Sequence, residues 1–171
     1  MDPERRASLM TLCAAVGEGL SRQGKQVAVA ESCTGGLLAA SFTAIPGSSR
    51  WFEYGFVTYS AGAKRTILGL GPEWLDEDHI VSEPTACKMA QAAQVLSGAD
   101  VAIGITGIAG PSGGRPQCPV GTVVVAWANR VVAEASTHRF GGNRETVRWE
   151  AVIMAVAGLL ARLNQGFLAR P

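Results

Sequence analysis

Two short apolar runs each precede a glycine-rich segment without charge. The first run covers residues 26–30 and, after Glu31, is followed by the uncharged segment 32–49. The second run covers 100–105 and overlaps the uncharged segment 101–114. A short apolar run bounded by glycine is typical of a strand buried on both faces of a parallel sheet. Ligands of open α/β sheets bind outside the carboxyl ends of the strands, so both turns are candidate binding loops.

Helices and strands alternate along most of the chain, and a hairpin follows late. Apolar periodicity and capping residues predict helices over residues 4–22, 37–44, 61–68, 82–96 and 143–163. Further strands are predicted over 51–59, 122–128 and 131–137, the last two joined at Asn129-Arg130. This order predicts an α/β fold, with one layered domain over residues 1–171 and a mixed β-sheet flanked by helices.

Composition excludes several classes of protein. Apolar residues make up 47% of the chain and charged residues 17%, which excludes a disordered chain, and a net charge of +1 provides no basic surface for nucleic acid. The four cysteines lack metal-binding or redox spacing, which predicts free thiols in a reducing cytoplasm. With no signal peptide or membrane-spanning run, we expect a soluble cytoplasmic protein without a metal, a membrane partner or a nucleic-acid partner.

The turn after the first predicted strand combines Ser32 and Thr34 with Gly35 and Gly36. A strand-to-helix turn of this kind presents a hydroxyl beside free backbone N–H groups, which suits a nucleophile or an anion. The same two hydroxyl side chains would also serve as simple helix caps. From these residues alone the two interpretations are equally supported.

A serine nucleophile needs a base, and the sequence offers few. The histidines, His79 and His138, do not adjoin a glycine-rich turn, so a Ser-His-Asp triad is poorly supported. Lys64 follows the uncharged segment 54–63, and a lysine in apolar surroundings has a lowered pKa and can act as a neutral amine. Composition alone favours the alternative, a solvated lysine on a helix.

Two arginines, Arg144 and Arg148, stand four residues apart at the start of the last predicted helix and follow a glycine pair. Residues with this spacing share one helix face, and a helix N-terminus with arginine side chains is suited to a phosphate. The alternative is an ordinary solvated face on which these arginines pair with neighbouring glutamates.

Five segments occur together in the order of a known family. They are AESCTGG at 30–36, PGSS at 46–49, VTYS at 57–60 with Lys64, TGIAGP at 106–111 and PVGTV at 119–123. Together they resemble the C-terminal domain family of the competence-damage-inducible protein CinA, and the resemblance covers about residues 7–163.

The resemblance implies an activity. Stand-alone family members hydrolyse nicotinamide mononucleotide to nicotinic acid mononucleotide and ammonia in pyridine nucleotide recycling, and they need no cofactor. Members use a serine–lysine dyad, which by motif is Ser32 and Lys64, and we include Tyr59 in the catalytic set. A homo-oligomer is also implied. The residues predicted to bind the substrate are Thr34, Gly35, Gly36, Ser48, Thr106, Gly107, Gly110, Gly113 and Arg144.

Two other functions stay open at this point. A non-catalytic module that binds and senses pyridine nucleotides would need the glycine loops and Arg144, but no neutral lysine. An amidase of another small amide would keep the dyad and change the pocket. Release of ammonia from nicotinamide mononucleotide separates the enzyme from the sensor.

Overall fold

The structure is a computed structural model that describes residues 3–169, and its centre is an open sheet of five strands. The strands are β1 (Val27–Glu31), β2 (Phe52–Val57), β3 (Val101–Gly107), β4 (Thr122–Asn129) and β5 (Ala133–Arg139), in the spatial order β2-β1-β3-β4-β5. The first three are parallel, and β4 and β5 are antiparallel to their neighbours. The predicted mixed sheet in an α/β fold is confirmed.

Helices cover both faces of this sheet. They are α1 (Pro3–Arg22), α2 (Leu37–Thr43), α3 (Ala61–Leu68), α4 (Glu83–Ser97) and α5 (Arg144–Asn164). The first, second and fifth pack together on one face, while α3 and α4 lie on the other. Each of the five predicted helices is present, and no bound differs from the prediction by more than one residue.

The two faces of the sheet differ in the size of their side chains. The face under α1, α2 and α5 carries large apolar residues, among them Val29, Ile103 and Trp127, whereas alanines dominate the face under α4. A Cβ on Gly104 would lie 2.4 Å from the carbonyl oxygen of Ala86 in α4. The small residues therefore let α4 pack directly on the strands.

The hairpin between β4 and β5 is wider than predicted. The fourth strand runs to Asn129 and the fifth begins at Ala133, so the connection is 130–132 rather than the predicted pair 129–130. The Asn129 side-chain oxygen accepts the N–H groups of Val131 and Val132, both at 2.8 Å. An asparagine that binds the backbone two residues ahead stabilises such a turn, which accounts for the shift.

Residues 3–169 contain no helix that combines the length and the apolar character needed to cross a membrane. In the same part of the chain, no three His, Cys, Asp or Glu side chains gather where they could hold a metal ion. The cysteines Cys13, Cys33, Cys87 and Cys118 are free thiols, as predicted.

Candidate active site

The site lies where the parallel strands end. The N–H of Ser32, directly after β1, donates to the carbonyl of Ile105 in β3 at 3.0 Å, and the N–H of Thr58, after β2, donates to the carbonyl of Glu31 at 2.8 Å. The carboxyl ends of three neighbouring strands are thus tied together. This edge is where ligands bind in open α/β sheets.

Lys64 points into this edge from the first turn of α3, which begins after its N-cap Ser60. Its side chain is buried, with 1% exposure. The Nζ atom lies 2.8 Å from Ser32 Oγ and donates to the carbonyl of Thr58 at 3.2 Å. The interpretation of Lys64 as a solvated lysine is therefore wrong.

Burial lowers the pKa of Lys64 from its ordinary value of 10.5 to about 8. Desolvation penalises the charged ammonium far more than the neutral amine, which is the physical cause of this direction. About a tenth of the molecules then carry a neutral Lys64 at pH 7, compared with less than about one in a thousand for a free lysine. Lys64 can therefore accept a proton from the serine hydroxyl beside it.

Cys33 lies next to Ser32, and its thiol is a poor candidate for a nucleophile. It is buried, and burial raises the pKa of the thiol to about 12. Only the thiolate is a strong nucleophile. The hydroxyl of Ser32 is therefore the better candidate nucleophile of this turn.

Glu31 is a buried carboxylate that the sequence analysis did not single out. It is the last residue of β1, and it caps the start of α2 by accepting three backbone N–H groups, from Gly36 at 3.0 Å, Leu38 at 3.1 Å and Ala39 at 2.8 Å. The interpretation of Ser32 and Thr34 as the caps of this helix is wrong, because no such bond forms and Glu31 takes that place. The sequence signal that could have indicated this capping role is a glutamate at the end of an apolar strand.

A cavity of about 430 Å³ opens beside the serine–lysine pair. Six of the predicted site residues line it, namely Ser32, Tyr59, Lys64, Thr106, Gly107 and Gly113. Ser32 Oγ also lies 3.4 Å from the carbonyl of Tyr59, so the chain after β2 passes directly over the serine. The pair therefore faces a space that a small molecule can enter.

The other wall of the cavity was not predicted. It consists of Glu77, Ile80 and Val81 from the connector before α4, together with Arg115 from the loop after β3. The buried Thr106 hydroxyl donates to the carbonyl of Ile80 at 2.8 Å, which fixes the connector to the end of β3. Loops that are distant in sequence form this wall, and no local pattern reveals them.

Six predicted substrate-binding residues do not line this cavity: Thr34, Gly35, Gly36, Ser48, Gly110 and Arg144. The amide of Gly35 donates to the carbonyl of Ser32 at 3.0 Å, and the amide of Gly36 donates to Glu31. Ser48 begins a short 3₁₀ helix before β2, at the end of the sheet opposite to Ser32. The carbonyl of Thr34 accepts a bond from Arg148 at 2.7 Å.

Arg144 is the first residue of α5, and its guanidinium is directed at protein groups. Nη2 donates to the hydroxyl of Tyr59 at 2.7 Å, and Nη1 donates to the carbonyl of Gly110 at 2.8 Å. In this arrangement Arg144 joins Tyr59, on the cavity wall, to the glycine-rich loop.

The fold and the site together define an α/β domain with a buried serine–lysine pair, an arrangement suited to nucleophilic catalysis. The family model of the CinA C-terminal domain matches residues 9–163, and the chain belongs to this family.

Similar proteins cover almost the whole chain. Two curated relatives are each called nicotinamide-nucleotide amidohydrolase PncC. The one from Pseudomonas putida is 44% identical over 94% of this chain and 97% of its own length, and the one from Escherichia coli K12 is 46% identical over 93% and 97%. The crystal structure of a competence-damaged protein (CinA) superfamily protein from Klebsiella pneumoniae 700603 superposes with a TM-score of 0.88 at 39% identity, covering 92% of this chain and 98% of that one.

Burial of Lys64 predicts a specific dependence of stability on pH. The folded-state pKa of about 8 lies below the unfolded value of 10.5, so the unfolded chain binds more protons between these pH values. The free energy of unfolding therefore rises with pH across this window, by about 3 kcal/mol from this one group. The same rise should be missing from Lys64→Met, in which nothing titrates at this position.

Urea unfolding of both proteins at pH 7 and pH 10.5 measures this difference, because all other titrating groups are common to the two chains. Equal pH dependence in wild type and Lys64→Met would show that Lys64 keeps an ordinary pKa in the folded protein.

Proposed function

We propose that this protein is a nicotinamide-nucleotide amidohydrolase, which hydrolyses nicotinamide mononucleotide to nicotinic acid mononucleotide and ammonia. The observation that carries the proposal is the distance of 2.8 Å between Lys64 Nζ and Ser32 Oγ, both buried at the edge of a cavity. The names of the two curated relatives support the substrate.

In the first half of the proposed reaction, Ser32 Oγ attacks the carbon of the carboxamide. The neutral Lys64 amine accepts the serine proton as the new C–O bond forms. When the tetrahedral intermediate collapses, the C–N bond breaks and Lys64 returns this proton to the leaving nitrogen. Ammonia leaves, and the nicotinoyl group remains on Ser32 as an ester.

Water completes the cycle. A water molecule attacks the ester carbonyl while the neutral Lys64 takes its proton. The ester C–O bond then breaks, and the Lys64 proton passes to the Ser32 oxygen. The product is a carboxylic acid, which ionises at neutral pH.

The negative charge of the intermediate needs N–H donors, and the geometry favours Gly107. The carbonyl of Ile105 accepts the N–H of Ser32 and therefore faces β1. The backbone N–H and C=O groups of successive residues in a strand point to alternate sides. Gly107 lies two residues after Ile105, so its N–H also faces the end of β1, where Ser32 lies. The amides of Gly35 and Gly36 are already bonded within the turn and are poorer candidates.

A glycine is required at position 107 because β4 passes close by. An added Cβ would lie 2.8 Å from the carbonyl oxygen of Thr122 and 2.9 Å from the Cα of Val123. The backbone of Gly107 is therefore held in place by packing. A donor fixed before the reaction stabilises an oxyanion without reorganisation.

Tyr59 and Thr106 line the same cavity as the pair and complete the proposed site. Tyr59 is on the cavity wall and is held by Arg144, while Thr106 anchors the connector opposite. We assign Tyr59 to the wall that orients the substrate. The role of Ser48, at the far end of the sheet, stays a prediction, as do the homo-oligomer and the cytoplasmic location.

Incubation of the purified protein with nicotinamide mononucleotide tests the proposal. We expect equal amounts of ammonia and nicotinic acid mononucleotide, and neither product from Ser32→Ala. Saturable binding without release of ammonia would instead identify a sensor of pyridine nucleotides. Ammonia from another small amide, and none from this nucleotide, would contradict the proposed substrate.

A further inference from the structure

Among the residues that the structure describes, one cationic side chain on the cavity is not used by the proposed reaction. Of the described residues that line the cavity, Lys64 and Arg115 have basic side chains. Lys64 Nζ contacts Ser32 Oγ and the carbonyl of Thr58, and its catalytic form is neutral. Arg115 is therefore the cationic side chain that the proposed reaction leaves unused.

A tight turn fixes the position of Arg115. Its N–H donates to the carbonyl of Cys118 at 2.9 Å, and the N–H of Cys118 donates back to the carbonyl of Arg115 at 3.0 Å. Cys118 is buried, which anchors this turn to the protein. On the other side, an added Cβ on Gly114 would lie 2.7 Å from the amide nitrogen of Val120. The loop is packed closely and presents the side chain of Arg115 to the cavity.

The ion pair that Arg115 forms with Asp78 is weak. Nη1 of Arg115 donates to Asp78 Oδ1 at 2.8 Å, but the Asp78 side chain is 84% exposed, compared with 27% for Arg115. An ion pair that is so open to solvent contributes little. A guanidinium has five donors and binds a phosphate through two of them at once.

Glu77 also lines the cavity. A phosphate that enters therefore needs a cation strong enough to offset this carboxylate. Arg144, the arginine that the sequence suggested, already donates to Tyr59 and Gly110 and is not part of the lining.

We propose that Arg115 binds the 5′-phosphate of the nucleotide substrate and displaces Asp78, while Arg144 positions Tyr59 and the glycine-rich loop. The inference rests on the proposed function for the identity of the substrate. Through its contact with the phosphate, Arg115 would distinguish a nucleotide from the corresponding nucleoside.

Kinetics with two substrates test this assignment. Nicotinamide mononucleotide and nicotinamide riboside differ only in the phosphate. We expect Arg115→Ala to lower kcat/KM for the mononucleotide about 10- to 100-fold more than for the riboside, because charge-assisted bonds to the phosphate are lost. Arg115→Lys should recover part of this loss, because lysine also binds phosphate as a point charge.

Arg144→Ala is the matched control. It should lower kcat/KM for both substrates by a similar factor, because it disturbs Tyr59 and the loop without touching the phosphate. Equal losses with both substrates in Arg115→Ala, or a phosphate-dependent loss in Arg144→Ala alone, would overturn the assignment.

Binding separates this inference from the proposed function. In the Ser32→Ala background, calorimetry with nicotinamide mononucleotide should show an affinity about 10- to 100-fold lower when Arg115→Ala is added. This comparison needs no turnover, so it can succeed even if the wild type releases no ammonia. Unchanged affinity would contradict the role of Arg115 while leaving the proposed function intact.

Discussion

Replacing Lys64 by arginine should abolish the release of ammonia from nicotinamide mononucleotide, with kcat reduced about 10³-fold or more. General-base catalysis contributes about 10²- to 10⁴-fold, and arginine cannot give up its proton at any working pH. In the proposed mechanism Lys64 serves both halves of the reaction, so its loss should affect acylation and ester hydrolysis alike. Ammonia release at saturating substrate measures the effect.

Arginine is larger than lysine, and the Lys64 side chain is tightly enclosed, with only 1% exposure. Lys64→Met is therefore the companion variant, because it fills a similar volume without a charge. Both should be inactive, and Lys64→Met should fold as shown by its thermal unfolding transition. An active Lys64→Met would remove lysine from the mechanism and leave water, Tyr59 or a histidine as the base.

The second large effect concerns the two neighbouring residues of one turn, Ser32 and Cys33. We expect Ser32→Ala to lower kcat about 10³-fold or more, because no acyl-enzyme can form without the hydroxyl. Cys33→Ala should keep most of the activity, because burial raises the pKa of this thiol to about 12 and prevents it from forming a thiolate.

Cys33→Ala is a demanding control because it alters the same buried turn as Ser32→Ala. If the turn merely had to be intact, both variants would lose activity together. An inactive Cys33→Ala beside an active Ser32→Ala would assign the nucleophile to the thiol and contradict the serine mechanism.

Local signals in the sequence were sufficient to predict most of the fold. The apolar runs around Val29 and Ile103 are buried strands because both faces of the sheet are covered by helices. Ser82 and Asn143 cap the helices that follow them. The hairpin was misplaced because the Asn129 side chain takes part in the turn.

The site depends on contacts between distant parts of the chain, and these are less visible in a sequence. Lys64 resembles any helix lysine until the chain after β2 brings it to Ser32, which lies 32 residues earlier. Arg115 and Glu77 are distant in sequence and line the same cavity, and neither lies in a recognisable motif. The resemblance to the family indicated the pair, whereas the structure shows its burial.

Arg144 illustrates a different limit of prediction from the sequence. Its position at the start of a helix after a glycine pair suggested a phosphate site, and such sites do occur at helix N-termini. Its guanidinium bonds to Tyr59 and Gly110, and phosphate binding by Arg144 itself stays an untested prediction. Helix position alone cannot show which protein groups the donors of an arginine already bind.

The pH dependence of kcat/KM for nicotinamide mononucleotide tests the central claim, a neutral Lys64 acting as the base for Ser32. Because the deprotonated amine is the active form and its pKa is lowered to about 8, kcat/KM should rise about tenfold per pH unit below pH 8 and level off above it. A profile that is already level at pH 6.5, or that falls as the pH rises towards 8, would contradict this account.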